Sequence, residues 1–500
     1  MLKGFTRSFP PLETLSPEEL EAIHGAALFV LDKTGMRVES ARALKLFEDA
    51  GCRVDYEENR VRIAPWLAEE CLRLTPSSYV VTARDGHSDI QVGGDTLYFM
   101  QGMGMRRVEI DTWETRPATL REHREATIVA DALDNCHMGD AVFSYTELEG
   151  VPPIMTFLET LASGLRYSGK AQHYGYSKGC EVFAAQLARD LGINLEAELD
   201  GASPLTIFGE AVDAAFTYIE AGMPIQPTVG SNMGAESPIS TAGSLVMGVA
   251  MTMGWIVLTQ LIKPGAPLSI QYGYEPMDMR TGSPVFGSVL NALGHVGMNQ
   301  WLRSHGIPSC TSAGFSSMSK KFDYQCAQEK GLGTLIAALS GGNIHIFQGG
   351  TTGELAYDPV LSIMDDDTAG WIGRMLEGTR VDSETLSVDL INEIGPIPGH
   401  FLGTADTRKH WRDEHFFPKV ADETAYPTWL ETGKKDTLDL ARERMEDILS
   451  THQPEPLTDE QERAVERMLV NARDHYRAEG MISDEEWATY METLEASAGS

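Results

Sequence analysis

The chain has 500 residues, 42% of them hydrophobic and 8% aromatic, which is enough for a large single-core fold with extensions. Its 73 acidic and 40 basic side chains leave a formal charge of −33, excluding a nucleic-acid partner because little remains to neutralise phosphates. Six cysteines without a CxxC pair exclude a disulfide framework and read as reduced thiols.

The first eleven residues carry a Lys and an Arg but no apolar run, so no secretory signal is expected and a cytoplasmic location is. Ser16-Pro17-Glu18-Glu19 is a capping box with proline at the first helical position. Ile23, Ala26, Ala27, Val30 and Leu31 then form an apolar stripe that Gly35 closes. A second helix is expected over Ala41–Ala50, hairpin material around Arg60–Ile63, and a further helix from Ala64-Pro65. Residues 1–95 therefore form a helical and hairpin cap.

From residue 96 the pattern changes to short apolar runs alternating with helix-length segments. The runs are Leu97–Met100, Ala141–Ser144, Gln172–Tyr176, Leu205–Phe208, Ile225–Val229, Leu268–Tyr272, Ser309–Ala313 and Asn343–Phe347. Helices are expected between most of them, at 121–133, 157–165, 210–220, 239–262, 285–304 and 324–339. Eight strand–helix repeats predict an α/β fold, a (β/α)₈ barrel over residues 96–378. No strand is followed by GxGxxG, which disfavours a doubly wound sheet. Ile239–Ile262 is long and uncharged enough to span a bilayer, but Ser, Thr, Gln and Gly interrupt it. It is expected to be a helix buried against the sheet and a neighbouring subunit, so a homo-oligomer is expected. Residues 379–500 are polar and acidic. A capping box at Thr458–Gln461 opens a helix there with Val465, Met468, Leu469 and Ala472 on one face, and the region reads as accessory helices.

Several chemistries find weak support. His410 and His415 have zinc-like spacing but no cysteine pair beside them, and no bound metal is expected. Gly175–Gly179 matches GxSxG after a strand without a companion oxyanion motif. Asp365-Asp366-Asp367 reads as a solvated helix start.

The strand ends carry a clearer signal, since barrel enzymes react at the C-terminal ends of their strands. Aromatic residues recur there, with little Lys or Arg. Tyr98, Phe99, Tyr174, Phe208, Tyr272 and Phe347 are the candidates for an aromatic cup around a quaternary ammonium, each contact contributing roughly 0.5–2 kcal/mol. Gln101, Glu210, His345 and Gln348 are the candidates for polar anchoring, with His345 and Gln348 placed to hold a carboxylate. Each of these residues could equally be core.

The stretch from Gly230 to Gly350 resembles the trimethylamine methyltransferase family. The resemblance rests on Gly-Ser-Asn-Met-Gly-Ala-Glu-Ser-Pro-Ile-Ser-Thr-Ala-Gly-Ser-Leu at 230–245, on Gln260-Leu261 with Lys263–Pro267, and on Asp278–Gly282. Phe322–Gln325 with Glu329, and Gly341-Gly342-Asn343, complete it. It implies a (β/α)₈ barrel, a partner corrinoid protein, and methyl transfer to the cob(I)alamin that partner carries. Members acting on trimethylamine carry pyrrolysine in the loop after the penultimate strand. The matching stretch here, Ser316–Lys321, holds ordinary residues. A quaternary amine is already charged and leaves as a neutral tertiary amine, so it needs no acid at nitrogen. The resemblance thus implies demethylation of a quaternary amine, foremost glycine betaine, to dimethylglycine, by positioning alone and with no catalytic side chain. Proline betaine and carnitine are alternative substrates. Alternative functions are a betaine-binding or sensing module without turnover, and a lyase or aldolase using Lys320 or Lys321 as a Schiff-base nucleophile.

Overall fold

The computed structural model describes residues 2–141 and 144–498. Eight parallel strands close into a barrel: β1 (Thr96–Gln101), β2 (Met138–Asp140), β3 (Ala171–Tyr174), β4 (Glu196–Asp200), β5 (Ile225–Thr228), β6 (Ile270–Tyr272), β7 (Ser309–Thr311) and β8 (Ile344–Gln348). β8 pairs in parallel with β1, His345 opposite Phe99, which closes the ring and leaves no free edge. Each strand is followed by a helix that packs outside, from Leu120–Ala132 after β1 to Pro359–Glu377 after β8. The (β/α)₈ barrel expected from the alternation is therefore the fold.

Two strand assignments are corrected. Thr206–Ile207 is not a barrel strand: it pairs in parallel with Met36–Val38 in a small N-terminal sheet. The fourth barrel strand is Glu196–Asp200, whose Glu-Ala-Glu-Leu-Asp sequence has acids at the positions that normally carry branched aliphatics. The second strand, Met138–Asp140, lies before the expected run at Ala141–Ser144, of which Val142 and Phe143 fall outside the described residues.

The capping boxes form as expected. The Glu19 backbone N–H donates to Ser16 Oγ, and Ser16 N–H donates to the Glu19 carboxylate at 2.8 Å. Thr458 and Gln461 repeat the arrangement at the start of helix Asp459–Ala478. The long apolar helix Thr241–Ile262 is mostly buried, and its largest contacts are with the chain's own N-terminal helices Pro17–Lys33 and Pro65–Leu74. The cap thus accounts for burial that a neighbouring subunit was expected to provide. Asp365–Asp367 also departs from expectation: the three carboxylates lie mid-helix in Pro359–Glu377 and are buried.

The lower barrel is closed by the hairpin Ser78–Val81 and Ile90–Gly93. Its Tyr79, Val81, Ile90 and Val92 pack against Tyr98, Met100, Ala171, Cys310, Ile344 and Ile346, which point inward from the strands. Burying each aliphatic side chain here contributes about 1.5–3 kcal/mol, so the floor is a packed core.

Candidate active site

Alternation along each strand sorts inward from outward residues. On β8, Ile344 and Ile346 face the lumen while His345 and Phe347 face the helices. On β1, Tyr98 and Met100 face in and Phe99 faces out, joining Phe347, Ala338, Ala369, Ile372 and Leu376 in an apolar layer between strands and helices. Phe99 and Phe347 contact each other at 6.0 Å between ring centroids.

The expected aromatic cup is therefore corrected. Tyr174 packs outward on Phe157, and Tyr272 packs outward on His295 at 4.9 Å. Tyr98 is inward but lies in the floor, its hydroxyl accepting from Gln91 N–H. Phe208, half exposed, is the N-cap residue of helix Gly209–Ala221, and Glu210 in the first turn pairs with Lys178 at the surface. The polar anchors face outward too. His345 is fully buried against Thr311, and burial, with His295 and Lys330 nearby, lowers its pKa to about 3, so it is neutral. The strand bulges after Ile346, which turns Gln348 towards helix Pro359–Glu377, where its amide donates to Asp366 at 3.3 Å. Gln101 donates to the Tyr357 hydroxyl at 2.9 Å and accepts from Asp140 N–H.

The cavity at the barrel mouth has a different lining. About 230 Å³ in volume, it sits at the C-terminal mouth of the barrel between the loops after β1, β4, β5, β6, β7 and β8. Glu236, Glu275 and Glu354 line it, with Thr228, Gln271, Ser312 and Phe315. Below them, the inward side chains of β2 to β5 continue the polar column. His173 Nε2 lies 3.0 Å from Gln226 Oε1 and 3.9 Å from Glu198, with Nδ1 3.6 Å from Asp140. Glu196 accepts from Tyr79 at 2.5 Å and from Ser269 at 2.8 Å, which seats it in the floor.

The electrostatics follow from placing many acids in one enclosed space. Burial pushes Glu198 up to about 8; Asp200 and Asp140 add to that, and His173 opposes it. Burial also pushes Glu275 up to about 8, with Glu354 and Glu236 adding repulsion. Glu354 rises to about 7 through burial and Asp200. Burial alone would lower His173, but Asp140, Glu198 and Glu196 outweigh it and raise the ring to about 9. Asp200, at the end of β4, and Glu354, in the cavity lining, are both solvent-accessible.

The loop after β7 positions this group. Ser316 Oγ accepts from Glu354 N–H at 3.0 Å and the Ser317 carbonyl accepts from Gly353 N–H at 2.8 Å, so Ser316-Ser317 holds the turn that presents Glu354. Glu354 has φ +71°, a conformation that this support makes tolerable. Lys330 locks the same loops: its buried Nζ donates to the carbonyls of Phe315, Phe347 and Gly350 at 2.8–2.9 Å and pairs with Asp365 at 3.2 Å. Sequence reasoning missed all of these residues. The one signal available was the density of acids in Glu196–Asp200 and Glu275, at positions where a barrel strand or its exit loop ordinarily carries apolar residues.

Other motifs lie elsewhere. Lys320 is exposed and bonds the Met318 carbonyl, and Lys321 lies over Trp113 at 5.8 Å, both outside the cavity lining. Ser177 of the GxSxG match sits over Cys180, donating its N–H to the thiol sulfur at 3.1 Å. His410 lies near Glu384, and His415 stacks on Phe417. Asp278 and Arg280 pair with each other at 2.9 Å.

Comparison with known proteins adds a lineage. The family model described as trimethylamine methyltransferase (MTTB) matches residues 1–475. The chain is 29% identical over 476 residues to trimethylamine methyltransferase MttB of Desulfitobacterium hafniense strain DSM 10664 / DCB-2, covering 93% of this chain and 95% of that one. It is 28% identical over 466 residues to the glycine betaine methyltransferase of Desulfitobacterium hafniense strain Y51, covering 90% and 95%. Among solved structures, the monomethylamine methyltransferase MtmB of Methanosarcina barkeri aligns with a TM-score of 0.47 at 11% identity, over 88% of this chain and 96% of that one. The chain, a methyltransferase, belongs to the trimethylamine methyltransferase family.

Proposed function

We propose that this protein demethylates a small quaternary amine bound in the acid-lined mouth of the barrel and passes the methyl group to a partner corrinoid protein. The observation that carries the reading is the cavity itself: Glu236, Glu275 and Glu354 line it where barrel enzymes react, above the buried Glu198, in a chain of this family. The corrinoid of the partner supplies the nucleophile for the methyl carbon. The residues of this chain bind the ammonium by charge, orient one methyl towards the open mouth, and replace water around the nitrogen. The cavity fits that task because its upper acids remain reachable from solvent. No proton has to be delivered to nitrogen, which matches a site whose cationic ring, His173, is held by Asp140 and Glu198 below the mouth.

Glycine betaine, yielding dimethylglycine, is the substrate expected from the sequence and agrees with the name of one relative. A quaternary amine without a carboxylate suits the charge of the cavity better. The test is to incubate the purified protein with cob(I)alamin and a panel of quaternary amines and follow methylcobalamin by its visible absorbance. Methylcobalamin with at least one quaternary amine is the expected result. Its absence with every quaternary amine, including in the presence of a corrinoid protein, overturns the proposal.

A further inference from the structure

We infer that this cavity selects a quaternary ammonium ion that carries no carboxylate. The inference rests on the proposed function and concerns only which member of that substrate class is taken.

The lining presents acceptors and has already spent most of its donors. Thr228 gives its hydroxyl proton to Glu198 at 3.0 Å, and Ser231 gives its own to Ser237 at 2.9 Å. Asn232 donates its amide to Glu236 at 3.1 Å, and Ser312 donates to the Tyr272 carbonyl at 3.1 Å. Among the described residues, no lysine or arginine lines the cavity. Gln271, only 6% exposed, has an amide oxygen without a hydrogen-bond partner. Glu198, 3% exposed, lies below the lining and faces the His173 ring at 3.9 Å. A ligand entering this space meets the Gln271 oxygen and whichever carboxylates are ionised, and no lysine or arginine among the described residues. An ammonium with four alkyl groups has no N–H to offer; it is held by charge and by its polarised C–H groups, which carboxylate oxygens accept well. A ligand carboxylate would face Glu275, Glu354 and Asp200 with no cation to pair it.

The acids also make binding proton-linked. In the empty cavity burial and mutual repulsion raise Glu198 and Glu275 to about 8 and Glu354 to about 7, so at neutral pH the group keeps part of its charge and shares the remaining protons. The groups that set this balance are His173 and Asp140 beneath Glu198, Asp200 between Glu198 and Glu354, and Glu236 beside Glu275. A cation settling among them lowers their affinity for protons, so one or more leaves to the buffer. A zwitterion, bringing a negative charge as well, releases fewer.

Choline and glycine betaine make the test, since they share the trimethylammonium head and differ in a hydroxymethyl against a carboxylate. Their binding to the full-length protein is measured by titration calorimetry at about pH 7 in two buffers of different ionisation enthalpy. Choline is expected to bind at least about tenfold more tightly, with net proton release read from the buffer dependence. Betaine binding as tightly as choline, or neither compound binding, overturns the inference. The parent reading is scored separately by methylcobalamin: choline binding with proton release but no methyl transfer supports the selectivity and sinks the reaction. Preferred demethylation of betaine supports the reaction and sinks the selectivity.

Discussion

Replacing Lys330 with methionine tests how the cavity is held together. The wild-type ammonium satisfies three buried carbonyls, those of Phe315, Phe347 and Gly350, and neutralises Asp365 at 3.2 Å. Removing one partner of a buried pair typically costs about 3–5 kcal/mol, because the other charge is left without compensation. Asp365 already sits at about 6 because burial outweighs the help of Lys330. Without the lysine its pKa rises further, and a carboxyl raised in the folded state loses stability as pH climbs through that value. The deficit of Lys330→Met should therefore be smaller near about pH 5.5, where Asp365 is protonated, and approach its full size above about pH 8. Lys330→Met with Asp365→Asn removes the stranded charge but leaves the same three carbonyls unpaired, so at high pH it should recover the part of the single-variant loss that comes from the charge. Equilibrium urea unfolding of wild type, both single variants and the double variant, at those two pH values, gives the cycle. A single-variant loss below about 1 kcal/mol, or equal losses for single and double variants at high pH, would refute the argument.

Three further outcomes are expected. Phe347→Ala and Phe99→Ala should each lower stability by about 3–5 kcal/mol while leaving KM for the amine nearly unchanged, since both rings fill the layer between strands and helices; a large KM effect in a fully folded variant would put them back in the site. The ligand-free protein should lose thermal stability between about pH 5 and about pH 8 as Glu198, Glu275 and Glu354 ionise above their unfolded values, and Glu275→Gln should flatten part of that fall. A melting series in which the variant parallels the wild type would contradict this. Gly248→Ala should destabilise by about 1–3 kcal/mol and weaken amine binding, because a Cβ there would lie 2.0 Å from the Tyr274 hydroxyl, next to Glu275; calorimetric binding equal to wild type would argue against that coupling.

The barrel was legible because its helices and most of its strands follow the apolar periods that burial requires. Seven of the eight barrel strands overlap or adjoin an expected run, and the capping boxes at Ser16 and Thr458 form as their side chains allow. The exception, Glu196–Asp200, was illegible because of its role: its inward positions carry carboxylates for the lumen, so its pattern resembles a surface loop. The expected run at Leu205–Phe208 took its place because Ile207 is buried, though in the N-terminal sheet.

The site was less legible than the fold. Strand-end position marks the correct end of the barrel but not which face of the strand a side chain occupies. A one-residue change of parity sends Phe99, His345 and Phe347 to the helices while Met100 and Ile346 face the lumen. The bulge after Ile346, invisible in the sequence, redirects Gln348 as well. The acids that do meet at the mouth come from several separate loops and strands, among them Asp200, Glu236, Glu275 and Glu354. Their convergence is a property of the closed barrel and of the Ser316-Ser317 and Lys330 contacts that hold its last loops.

A crystal structure of the protein with a bound quaternary ammonium ion tests the placement of the site most directly. The nitrogen should lie inside the barrel mouth, in contact with the carboxylates of Glu275 and Glu354 and above Glu198. Density for the ion in the aromatic layer around Phe99 and Phe347, or at the outer surface with the mouth filled by water alone, would contradict it.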